Sequence, residues 1–120
     1  MPKPTPRLNP KWVKQARDYF LSFLRETKFP HPVRNGSRGS EFAYPEWLIM
    51  FIAVLAVKAR AKTYLGIHRL AVQYWDIIAE GLELDPIPET TLRYRLKKIS
   101  FKLGETPIFV LQIFPGSYLD

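Results

Sequence analysis

The sequence predicts an all-α fold: four main helices in a compact, helix-turn-helix-like bundle, with a short strand open as an alternative near the C-terminus. Two observations carry most of this. Three separate stretches repeat their apolar residues at the spacing of a one-sided helix, and a fourth, Trp47 to Val57, is apolar nearly all round, as a central helix is. Prolines fall at the borders of these stretches, where helices start and stop.

Each helix has its own signals. Asn9-Pro10 reads as N-cap and first helical residue, opening a helix over 10–27 with Trp12, Ala16, Tyr19, Phe20, Phe23 and Leu24 on one side. Phe29-Pro30-His31-Pro32 stops it, and Asn35-Gly36-Ser37-Arg38-Gly39-Ser40 reads as a loop. Pro45 opens the second helix, over 45–61. Thr63 caps the third, in which Ile67, Leu70, Ala71, Tyr74, Trp75 and Ile78 form one stripe before Gly81 ends it. Pro86 and Pro88 break the connector that follows. The fourth helix is expected over 89–102, with Leu92, Leu96, Ile99 and Leu103 as its buried stripe and Gly104 as its close. The run Ile108 to Phe114 is too short for periodicity to separate strand from helix.

The chain has 120 residues, one domain's worth. Residues 1–8 read as a basic, Pro-rich, disordered arm, 9–104 as a helical domain, and 105–120 as the start of a linker or following domain. A continuation beyond Asp120 is expected. Eighteen Lys and Arg against eleven Asp and Glu give a net charge of +7, which favours an anionic partner such as nucleic acid. The excess lies in residues 1–40, with nine cations and two acids, while the rest of the chain is neutral overall.

No cysteine is present, which removes disulfides and cysteine-rich zinc sites from consideration. The start, Met-Pro-Lys-Pro-Thr-Pro, lacks the apolar run of a signal peptide. Trp47 to Val57 is far shorter than the roughly 20 residues of a membrane span. These features lead to an expectation of a cytoplasmic, nucleoid-associated protein without membrane or small-molecule partners.

The residues 89–102 carry the functional signal. Arg93, Arg95, Lys97, Lys98 and Lys102 share this segment with only one acid, Glu89, and Tyr94 stands among them. Cations on one helical face neutralise phosphates and release counterions. Hydroxyls at a helix start, here Thr90 and Thr91, can join the backbone amides on a phosphate. Arginines also suit guanine edges. If four of these cations met phosphates, the log–log salt slope would be roughly −3.6. A solvated Lys- and Arg-rich face explains the same pattern without DNA.

Secondary DNA contacts are assigned to Lys58, Arg60, Lys62 and Arg69, and to Lys11 and Lys14 together with the arm residues Lys3, Arg7 and Arg17. Lys58, Arg60 and Lys62 are read in the first place as complementing a helix C-terminus, and as DNA contacts only second. The two histidines, His31 and His68, have no metal-ligand spacing. No metal ligand, cofactor site or catalytic residue is assigned within this chain.

Three motifs stand in order. Tyr44-Pro45-Glu46-Trp47-Leu48-Ile49-Met50 begins an apolar helix; Thr63-Tyr64-Leu65-Gly66-Ile67-His68-Arg69-Leu70 opens another; Pro86-Ile87-Pro88-Glu89-Thr90-Thr91-Leu92-Arg93-Tyr94-Arg95-Leu96 opens a third. This order resembles the N-terminal helical domain of insertion-sequence DDE transposases, where a YPxxLL helix start, an (S/T)Y cap and a P-x-x-(S/T)TL-x-R-x-(K/R) helix recur. The match covers about residues 44–100.

The resemblance implies DNA binding at the terminal inverted repeats of a mobile element, in DNA transposition and recombination. It also implies that cutting and joining belong to a following RNase-H-like domain, whose three carboxylates hold two divalent metals, usually magnesium. Asp120 is not assigned to that triad. The connector between the third and fourth helices is longer than that of an ordinary helix-turn-helix.

Two other functions fit the same residues: a stand-alone helix-turn-helix-like transcriptional regulator, and a protein-interaction or homo-oligomerisation module without DNA binding.

Overall fold

The nearly uniform apolarity of the Trp47 stretch becomes the axis of the fold. In the computed structural model this stretch forms α2, Glu46–Ala59, and its residues 48–56 are all buried. The structure describes residues 8–27, 44–99 and 101–114, and every regular element among them is helical. Besides α2 these are α1 (Pro10–Thr27), α3 (Tyr64–Gln73), α4 (Trp75–Ile78), α5 (Glu89–Lys98) and α6 (Ile108–Ile113). Residues 1–7 of the expected arm at 1–8, the helix stop and loop within 28–43, and residues 115–120 of the expected linker at 105–120 lie outside the described residues, whereas Leu8, expected in the arm, is described and buried.

α1 starts as its sequence dictates. The Asn9 side chain accepts the Lys11 amide at 2.9 Å, satisfying one orphan N–H of the first turn. Val13, Ala16, Phe20 and Leu24 face the core, and Phe20 stacks on Phe51 of α2 at 5.8 Å between centroids. Thr63 likewise caps α3, accepting the Gly66 amide at 2.9 Å.

The expected third helix is broken. α3 stops at Gln73 and α4 restarts at Trp75, with Tyr74 at φ −106° and ψ 18° between them. The hydroxyl of Tyr74 accepts the Leu8 amide at 2.8 Å and donates to the Leu8 carbonyl. The indole of Trp75 donates to the Leu84 carbonyl at 2.8 Å. These neighbouring side chains serve partners on different segments, and the backbone bends so that both are buried.

The fourth expected helix is shorter than its pattern. α5 ends at Lys98, and the Phe101 amide closes onto the Leu96 carbonyl at 3.0 Å. At about 100° per residue, a helix continued to 102 would place Phe101 in the middle of the exposed face. Ending early lets Phe101 bury to 4% exposure. Gly104, expected to close the helix, instead takes φ 80° in the turn beyond.

The run after Pro107 is a helix and not a strand. Val110 and Phe114, four apart, are buried, while Gln112 between them is exposed. Phe114 stacks on Phe20 at 6.2 Å, which docks α6 on α1.

Candidate nucleic-acid interface

The connector before α5 is pinned to the core by three side chains. Trp75 donates to the Leu84 carbonyl, the Tyr44 hydroxyl to Asp85 at 3.1 Å, and the His68 Nε2–H to Ile87 at 2.9 Å. Because a carbonyl only accepts, the last bond places the His68 proton on Nε2. Gly81 at φ 83° and Glu83 at φ 53° turn the chain into this connector. The unusual length between α4 and α5 is thus a fixed strap, and it sets where α5 begins.

On α5, Leu92 and Leu96 are buried and Ile99 half-buried. Thr90, Arg93, Tyr94, Lys97 and Lys98 fall within an arc of about 140° on the other side, and all five are exposed. The Arg93 guanidinium lies 5.5 Å from the Tyr64 ring and the Lys97 ammonium 5.8 Å from it. Lys98 lies 5.2 Å from the Tyr94 ring. Aromatic faces hold these cations by ring quadrupole attraction without neutralising them. Tyr64 therefore belongs to this surface. The sequence showed it only as the residue after a cap, because its approach to α5 depends on how α3 and α5 pack.

Arg93 also pairs with Glu89, one turn before it. Exposed i, i+4 pairs are worth a few tenths of a kcal/mol, so a phosphate can displace this carboxylate. Glu89 also occupies the first turn and already complements the helix dipole there. Among the described residues, Lys97 and Lys98 meet no carboxylate.

Two of the expected contact residues stand off the exposed arc. The Arg95 side chain is only 11% exposed and pairs with Glu46 at 3.4 Å. It projects from the flank of α5 that leans on α2 and ties the two helices together. Lys102 is exposed but stands in the turn after α5, off the helical face. Thr91, on the same flank as Arg95, is half-buried. Three cations, Arg93, Lys97 and Lys98, stand on the exposed face; if all three met phosphates, the log–log salt slope would be roughly −2.7.

The secondary residues divide. Lys58, Arg60 and Lys62 border a cleft at the end of α2. Arg69 is exposed on α3. Lys11 is exposed, and Lys14 faces Glu80 at 4.0 Å. Arg17 donates to the carbonyls of Ile78 at 3.0 Å and Glu80 at 2.8 Å, closing the end of α4. α1 packs mainly on α2 and α4, and α5 on α2 and α3.

Among the described residues, no helix is long and apolar enough to cross a membrane. Compared with known proteins, the chain matches no family model, no curated protein and no solved structure.

Proposed function

We propose that this chain is a DNA-binding domain that lays the exposed face of α5 against duplex DNA. The observation that carries this is the clustering of Arg93, Lys97 and Lys98 on one exposed arc, with Tyr64 and Tyr94 between them. Arg93, Lys97 and Lys98 neutralise phosphates, and Thr90 and Tyr94 add hydroxyl contacts to the backbone. The resemblance of residues 44–100 to the N-terminal domain of insertion-sequence DDE transposases supports a specific duplex: the terminal inverted repeats of a mobile element, bound in the nucleoid during transposition. Chemistry on the DNA is then the work of a separate catalytic domain using divalent metal.

A footprinting experiment on DNA carrying the flanking element tests the reading. Protection over the inverted ends supports it. Protection over an upstream operator alone supports a transcriptional regulator instead.

A second reading has its own observation. Leu65 and Val72 lie seven apart on one face of α3 and are 48% and 42% exposed. Such a pair suits a protein partner or a second copy, and salt-independent association without any DNA shift would favour that role.

A further inference from the structure

Residues at the end of α2 and beyond α5 frame a half-open cleft of about 460 Å³ that no residue of α5 itself lines. Its lining divides almost evenly between polar and apolar surface, the apolar part including Val57, Phe101 and Leu111. Lys58, Arg60 and Lys62 stand along its border, with Thr106 supplying a hydroxyl and Glu105 a carboxylate. Clefts of this size are the usual seats of small ligands, and a lining of mixed character suits an amphipathic one.

Arg60 is the informative residue. It takes φ 57° and ψ 42°, the left-handed conformation that glycine adopts freely and L side chains adopt at a cost. Its amide donates to the Val57 carbonyl at 3.1 Å, and the Ala61 amide to the Ala56 carbonyl at 3.0 Å. This is the Schellman closure, which elsewhere favours glycine at Arg60's position. Here the chain accepts the strained backbone and gains a guanidinium at the mouth of the cleft.

The closure takes up the Ala56 and Val57 carbonyls, two of the four left open at the end of α2, and the cations beside it offset the negative end of the helix dipole. The Lys58 ammonium lies 5.1 Å from the Trp12 ring. Arg60 and Lys62 are exposed, and neither meets a carboxylate among the described residues.

We propose that this cleft binds a small amphipathic anion. Its apolar body rests on Phe101 and Leu111, and its carboxylate or phosphate head meets Arg60 and Lys62. A nucleic-acid backbone would engage the cations but leave the apolar part of the lining unused; an uncharged ligand would leave the cations unused. The inference stands apart from the DNA-binding role of α5.

The test is calorimetric titration of the full chain with octyl phosphate below its micelle concentration, with octanoate and octyltrimethylammonium in parallel. Saturable binding of both anions and none of the cation is expected. Arg60→Gly should weaken octyl phosphate binding about tenfold, the loss of one charge-assisted contact, while the melting temperature holds or rises because glycine relaxes the backbone. Leu111→Glu, at a position 54% exposed and therefore tolerant of charge, should abolish binding. The double variant Lys97→Glu, Lys98→Glu should bind octyl phosphate like the parent. The proposal is overturned if octyl phosphate does not saturate, if the cationic amphiphile binds equally well, or if folded Arg60→Gly binds unchanged.

Discussion

Arg95 of α5 reaches the first turn of α2 and pairs with Glu46 at 3.4 Å. The carboxylate sits where the α2 dipole favours negative charge, and the pair ties the proposed recognition helix to the central helix. The arginine that the sequence presents as a base reader therefore orients the helix.

Removing that tie should cost stability. Arg95→Ala leaves a part-buried carboxylate without its partner, a loss of about 1–2 kcal/mol once solvent screening of Glu46 is allowed for. Calorimetry should show a melting temperature several degrees lower, with Lys97→Ala close to the parent. Equal melting temperatures for Arg95→Ala and the parent would remove the tie from the fold.

Tyr74 holds the backbone of Leu8, just ahead of α1. Its hydroxyl is both acceptor and donor to the Leu8 backbone, and the pair is buried. Tyr74→Phe leaves that amide and carbonyl unsatisfied, at about 1–3 kcal/mol. Urea unfolding measures the loss, and hydrogen exchange at the Leu8 amide should quicken.

Gly81 tests the turn into the strap. Its φ of 83° is left-handed, and an added Cβ would meet nothing within 4 Å. Gly81→Ala should therefore cost only the conformational term, about 1 kcal/mol. A much larger loss in thermal unfolding would point to contacts that the geometry does not contain.

Tyr44 gives the strap a pH dependence. Burial raises its phenol above the ordinary 10.0, and the nearby Asp85 carboxylate raises it further. The folded state holds the proton more tightly than the unfolded chain, so the neutral form is favoured by folding. This contribution is full below pH 10 and is lost as pH climbs from there to the folded-state value. Tyr44→Phe should melt with a shallower decline above pH 10 than the parent does. Matching alkaline profiles would show that the strap does not sense this phenol.

Much of the fold was legible because local pattern and tertiary packing agree. The caps at Asn9 and Thr63, the uniform burial of α2 and the Leu92–Leu96 stripe all follow from neighbours in sequence. What was not legible shares a cause. The break at Tyr74 depends on Leu8, sixty-six positions away, and the place of Arg95 off the exposed arc depends on Glu46, forty-nine away. The early end of α5 was partly readable: a helix through 102 would have put Phe101 at the centre of the polar face. The α6 helix resolved only once Val110 and Phe114 shared a buried side. At the candidate site the lysines were legible, whereas Tyr64 beside Arg93 and Lys97 required the packing of two helices.

The most direct measurement is the salt dependence of binding to a short duplex of random sequence, followed by fluorescence anisotropy. The parent should show a log–log slope of roughly −2.7, and Lys97→Glu with Lys98→Glu should weaken binding sharply and bring the slope to about −0.9 or less. A folded double variant that binds the duplex as tightly as the parent, with the same slope, would contradict a DNA-facing role for α5.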